Sequence, residues 1–214
     1  MGKTVVDITM SLDGFVAGPN PTLEEPLGEN GEQLHEWAIE TESWREQHGL
    51  EGGEANEDSE MIREGSSSIG AHVMGRKMFS GGSGPWENDP RSHGWWGDEP
   101  PFHAPVYILT HHAREPEEME GGTTFHFVTD GIEAAVERAH AASGGRDVAV
   151  AGGASVIQQA LAAGLIDELQ IHVAPLLLGG GTLLFGEGGK PLGLEATRVL
   201  SSPKATHLKF VVRS

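Results

Sequence analysis

The strongest constraint on this chain lies between residues 148 and 164. Val148-Ala149-Val150-Ala151 is a short apolar run ended by Gly152-Gly153, and Val156 to Ala163 then follows at helical spacing as far as Gly164. A strand that turns through glycines straight into a helix belongs to a layered fold, because the helix must lie back on the sheet it has just left. The same alternation appears elsewhere. Val5 to Met10, Ile69 to Met74, Val106 to Leu109, Thr123 to Thr129 and Asp167 to Ala174 read as strands. Ile132, Ala135, Val136 and Ala139 give a helix over Ile132 to Ala142, and Ala196 to Leu200 with His207 to Val212 form a closing pair. The expected class is a three-layer α/β/α domain, its mixed central sheet parallel in the core and antiparallel at the C-terminal strands.

Length and composition narrow the function. The 214 residues suit one generous domain, 1–214, and 37% hydrophobic residues exclude a disordered polymer. Thirty-two acidic residues against 14 basic ones leave a formal charge of -18, which repels nucleic acid backbones and anionic membranes. A small-molecule substrate is the expected partner. With no cysteine, disulfide scaffolds, thiol catalysis and cysteine-based metal sites are excluded, and no metal is expected. The N-terminal residues lack a basic segment leading into a long apolar one, so a cytoplasmic protein is expected.

Two regions read less regularly. Leu34, Trp37, Ile39 and Trp44 predict a helix over about 31–46, and Glu51 to Asp58 reads as a solvated acidic loop without chemistry, before a short helix around Met61 and Ile62. The stretch 81–105, rich in Gly, Pro and Trp, is too aromatic for a linker and predicts an ordered loop. Its Trp95-Trp96-Gly97-Asp98-Glu99 segment is either a loop packed on the core or a lid that stacks a flat substrate.

Three junctions carry the candidate chemistry. Gly152-Gly153-Ala154-Ser155-Val156 can bring backbone N–H groups up to a pyrophosphate, although a tight strand-to-helix turn explains the glycines equally well. Met74-Gly75-Arg76-Lys77 places two cations beside a strand end in an acidic chain, as phosphate ligands or as a surface pair. Leu109-Thr110-His111-His112 puts polar donors at a third strand end. Open α/β sheets bind ligands outside these carboxyl ends, so the three junctions reinforce one another.

Taken in order with Ser11-Leu12-Asp13-Gly14-Phe15-Val16-Ala17-Gly18 and Gly179-Gly180-Gly181-Thr182, these motifs resemble the dihydrofolate reductase superfamily, over Thr4 to Arg213. The branch resembled is the one holding the reductase domain of bacterial riboflavin biosynthesis deaminase-reductases. That resemblance implies NADPH across the carboxyl edge of the sheet. It places Ala17 near the nicotinamide, Gly75 at its turn, Arg76, Lys77 and His111 around the adenosine phosphates, and Thr110 on the adenosine side. Gly152 to Val156, including Gly153, Ala154 and Ser155, would hold the pyrophosphate, with Thr182 at a further edge. It also implies a homodimer, for which the C-terminal strands offer an edge.

The substrate acids of the family do not carry over. Leu34 stands where folate-reducing members have a carboxylate, and Ala151 stands where the riboflavin branch has an acid before the glycine turn. Asp13 and Asp98 are the candidate replacements, with Asp13 equally readable as an Asp-Gly turn former. His35, His93 and His103 are candidate proton donors. The expected function is therefore an NADPH-dependent reduction of a small planar heterocycle, pterin-like or pyrimidine-like. The alternatives are a non-catalytic nucleotide-binding module with a regulatory or assembly role, and a deazaflavin-dependent reductase.

Overall fold

A computed structural model describes residues 2–186 and 191–213. In chain order the strands are β1 (Thr4–Ser11), β2 (Phe15–Ala17), β3 (Ile69–Gly75), β4 (Pro105–Leu109), β5 (Glu117–Glu118), β6 (Thr124–Val128), β7 (Asp147–Gly152), β8 (Glu168–Ala174), β9 (Thr182–Leu183), β10 (Gly193–Ser201) and β11 (Thr206–Arg213). The helices are α1 (Glu36–Ile39), α2 (Glu42–Gln47), α3 (Glu57–Ser67), α4 (Arg76–Ser80), α5 (Ile132–Ala142) and α6 (Ala154–Ala162). The class is mixed α/β, with a parallel sheet core and antiparallel C-terminal strands. No helix among the described residues is long and apolar enough to cross a membrane.

The backbone divides into two compact units, Met1–Val6 with Ile69–Asp167, and Asp7–Ser68 with Glu168–Ser214. In the first unit the opening residues of β1 pair in parallel with β7, and the order continues β7-β3-β4-β6-β5. β3, β4, β6 and β7 run parallel, and only β5 is antiparallel. Their sequences are apolar without alternation because helices cover them; α5 lies on β3, β4 and β7 and buries Ile132, Ala135, Val136 and Ala139, the predicted stripe. Met74, Phe79, Val106, Ile108 and Phe125 form a buried cluster. Truncating Phe79 to alanine there should cost about 3–5 kcal/mol.

The 81–105 stretch belongs to this unit and covers that cluster. Trp86, Trp96 and Phe102 pack on it, with Trp86 edge-on to Phe79 and Phe127, and the Trp86 indole N–H donates to the His112 carbonyl at 2.8 Å. The covering-loop alternative therefore holds for Trp86 and Trp96.

In the second unit the order is β10-β11-β8 and the remainder of β1, with β10, β11 and β8 antiparallel, and β2 pairs with β9. The helix expected over 31–46 is in fact three pieces: a 3-10 turn over Gly31–His35, then α1, then α2. Thr41 causes the second break. Its extended backbone pairs with Glu54, and its hydroxyl donates to the Ala38 carbonyl at 2.6 Å and accepts from the Trp44 amide, capping α2. The acidic stretch also differs from the expectation, because Glu57 and Asp58 open α3. Asn56 caps that helix by accepting from the Ser59 amide at 2.9 Å, and acids in the first turn suit the positive end of the helix.

Candidate active site

The first unit brings the three junctions to one edge. Gly75 registers with Leu109, Met74 with Gly152, and Leu109 with Val128, so β3, β4, β6 and β7 end together. The Thr110 amide then donates to the Val128 carbonyl at 3.0 Å, which holds the Thr110-His111 turn at that edge. Gly75 lies close to the Gly152-Gly153 turn: a Cβ on it would stand 3.0 Å from a Val156 methyl group and 3.7 Å from the Gly152 oxygen and Gly153 nitrogen. Gly152 takes φ 125°, open to glycine, and its peptide bond to Gly153 is cis.

Beyond the turn α6 starts without a side-chain cap, since Gly153 occupies the capping position. A Cβ at Gly153 would meet nothing within 4 Å. This combination of free space and an uncapped start of a nine-residue helix, at a strand end, suits the phosphates of a dinucleotide. Lys77 and His111 are exposed at the same edge.

Arg76 is placed differently from Lys77. It is buried, its guanidinium pairs with the buried Asp89 carboxylate and with the Ser80 hydroxyl, and it lies 3.5 Å from the centre of the Trp86 ring. Burial opposes ionisation of Asp89, but bonds from the Ser80 hydroxyl, the Arg91 amide and Arg76 outweigh it and hold the carboxyl below its usual range. The charge of Arg76 is thus satisfied within the unit. Sequence reasoning did not find Asp89, because nothing local marks a carboxylate 13 residues away as the partner.

Asp98 is not brought to the carboxyl edge. Its carbonyl accepts from the Glu120 amide, and Pro100 accepts from the Thr123 hydroxyl just before β6, so this part of the loop sits by the amino ends of β4 and β6. Asp98 is exposed there. Of the three histidines, His93 pairs with Glu117 and His103 bonds the Gly121 carbonyl. His35 is pushed below the ordinary histidine value by burial and by the charge of His172.

In the second unit Ala17 and Thr182 are registered partners on β2 and β9, and Gly181 lets the strands close: a Cβ there would fall 2.0 Å from the Ala17 oxygen. Asp13 sits in the turn after β1. Its carboxylate accepts the Ser11 hydroxyl at 2.5 Å and the amides of Leu178 and Gly179 at 3.1 and 2.8 Å. The Ser11 bond leads in lowering its pKa, so Asp13 is an ionised acceptor with three donors already in place. That suits a clamp on the Leu176–Gly179 segment better than a proton donor. Leu34 is fully buried in its 3-10 turn, and Glu36 is exposed. No cluster of metal-ligating side chains occurs among the described residues.

Solved structures share this fold. A protein from Shewanella sp. PV-4 described as a riboflavin biosynthesis protein is 20% identical, with a TM-score of 0.62 and 99% of each chain covered. The riboflavin biosynthesis reductase Rib7 of Saccharomyces cerevisiae is 13% identical at a TM-score of 0.56, covering 99% of this chain and 90% of that one. RibD of Acinetobacter baumannii is 16% identical at a TM-score of 0.56, and there this chain, covered in full, spans 58% of the longer protein. At these identities the likeness concerns the fold, which is dihydrofolate-reductase-like. Among curated proteins no relative matches. The profile of the RibD C-terminal domain matches residues 3–208, nearly the whole sequence, and this chain therefore belongs to the RibD C-terminal domain family.

Proposed function

We propose that this protein is an NADPH-dependent reductase of a small planar heterocycle, pyrimidine-like or pterin-like. The observation that carries the reading is the carboxyl edge of β3, β4 and β7, where the Gly152-Gly153 turn opens α6 beside unfilled space, with Lys77 and His111 exposed. Family membership supports an oxidoreductase of the RibD reductase type.

In this reading Gly152, Gly153, Ala154, Ser155 and Val156 hold the pyrophosphate through backbone N–H groups, with Gly75 giving room and Thr110 beside the adenosine. Lys77 and His111 meet the 2′-phosphate, since Arg76 is committed to Asp89. Ala17 and Thr182 attend the nicotinamide, and Asp13 fixes the loop next to them in sequence. The bound nicotinamide supplies the hydride; the chain supplies binding, orientation and exclusion of water.

The experiment is titration of the purified protein with NADPH, followed by nicotinamide fluorescence and thermal unfolding. At one hundred times the dissociation constant the cofactor should add about 2.7 kcal/mol of stability. Oxidation of NADPH should then be seen with a member of a pyrimidine and pterin panel. Lys77→Gln should weaken NADPH several-fold and leave NADH unchanged. Neither fluorescence change nor stabilisation at millimolar cofactor would remove the proposal.

A further inference from the structure

Four titratable side chains of the second unit form one continuous line that the proposed reaction does not use. Asp7 Oδ1 lies 2.7 Å from His172 Nε2, His172 Nδ1 lies 2.5 Å from His207 Nδ1, and His207 Nε2 lies 2.8 Å from Asp58 Oδ1. His172, His207 and Asp58 are each no more than 2% exposed, while the Asp7 side chain is 41% exposed.

The elements explain the line. His172 on β8 and His207 on β11 are registered partners across the antiparallel pair. Asp58 comes from the first turn of α3, whose next residues on that face are Met61, buried, and Gly65. Gly65 lets the helix approach β1, since a Cβ there would stand 2.7 Å from Asp7 Oδ2. The Trp37 ring covers both imidazoles, at 4.5 and 4.9 Å between centroids.

The hydrogen count follows from chemistry alone. Each of the three gaps joins two atoms that carry lone pairs, so each bond requires one proton, neither none nor two. Stripped of protons, two carboxylates and two imidazolates carry four negative charges, and three protons reduce this to one. The result does not depend on where in its gap each proton sits. Two ionised aspartates and two ordinary neutral histidines would bring only two protons and a charge of two. The folded line therefore holds one more proton than its members carry separately at neutral pH.

We propose that Asp7, His172, His207 and Asp58 form a buried proton-binding site whose extra proton fastens α3 to β8 and β11. Without that proton, two Nδ1 lone pairs face each other; with a second, two N–H groups do. The surroundings agree with single occupancy. Gln170 on β8 donates to the second oxygen of Asp7 at 2.9 Å, Lys204 in the β10–β11 turn feels the charge of Asp58, and His35 lies within reach of the charge on His172. Burial holds His207 below the ordinary histidine value despite its bond to Asp58, with the neighbouring imidazole adding to the effect.

The test is the number of protons released on unfolding at pH 8, where free histidines are neutral. The protein should release about one proton more than Asp58→Asn, and its folding constant should fall about tenfold more per pH unit than that of the variant. Asparagine can donate to His207 Nε2, so that ordinary neutral histidines fill every gap and the line survives without the extra proton. Asp58→Asn should fold and lose the difference. If Asp58→Asn does not fold, His172→Gln provides the second comparison and should lose the same proton. A strongly deshielded, exchange-protected imidazole proton from the His207–Asp58 gap should appear in the NMR spectrum of the wild type and be missing from Asp58→Asn, where an amide N–H fills that gap. Equal proton release by wild type and variant, or absence of that resonance, overturns the proposal.

Discussion

Arg76→Ala should act on stability, and the buried pair with Asp89 sets the size of the effect. From the sequence, this substitution is expected to weaken NADPH by about 1.5–3 kcal/mol and spare NADH, because Arg76 reads as a phosphate ligand. In the structure the Arg76 and Asp89 side chains are 7% and 2% exposed, and the guanidinium lies over Trp86. Removing the cation leaves a carboxylate in a site built for its partner, a loss of about 3–5 kcal/mol. The lost contact with Trp86 adds about 0.5–2 kcal/mol. Against a total stability of about 5–15 kcal/mol this is a large fraction. Urea unfolding followed by tryptophan fluorescence measures it. The double variant Arg76→Leu, Asp89→Leu should recover most of the loss, because no charge is then left unpaired, giving a coupling energy of about 3 kcal/mol. Single substitutions that cost less than about 1 kcal/mol, or that add without coupling, would refute the reasoning. So would an Arg76→Ala protein of normal stability that loses NADPH and keeps NADH.

The other predictions concern separate parts of the molecule. Burial pushes His72 down to about 4, so its contribution is complete above the ordinary value near 6.5 and is lost as pH falls toward 4. Over that range stability should drop by about 3 kcal/mol, and His72→Leu should flatten the acid limb of a denaturation series. Asp13→Ala should release the Leu178 and Gly179 amides and speed limited proteolysis within 176–183; unchanged cleavage would mean the clamp is dispensable. β10 ends the sheet order of its unit and exposes Leu194 and Val199, so we expect a homodimer through this strand, disrupted by Val199→Lys. Light scattering that shows a monomer of the wild type at micromolar concentration counts against it.

Local pattern accounts for much of the fold. The 3.6-residue spacing at Ile132, Ala135, Val136 and Ala139 is a property of neighbouring residues, and α5 spans Ile132–Ala142 as that spacing requires. The apolar runs ended by Gly75 and Gly152 likewise encode strands that stop beside helices, and with them the edge proposed for the cofactor. Burial of one face leaves a periodic trace in sequence, which is why these elements are legible. Thr41 shows where local pattern yields: its apolar neighbours continue a helix, but pairing with Glu54 draws its backbone out of one. Partnerships between polar groups leave no such trace. His207 meets Asp58 across 149 residues, and Arg76 meets Asp89 out of a loop that the sequence marks only as ordered and aromatic. An ion pair or a shared proton depends on where two side chains arrive in space, so the tertiary structure alone decided that Arg76 is buried and that two aspartates and two histidines stand in line.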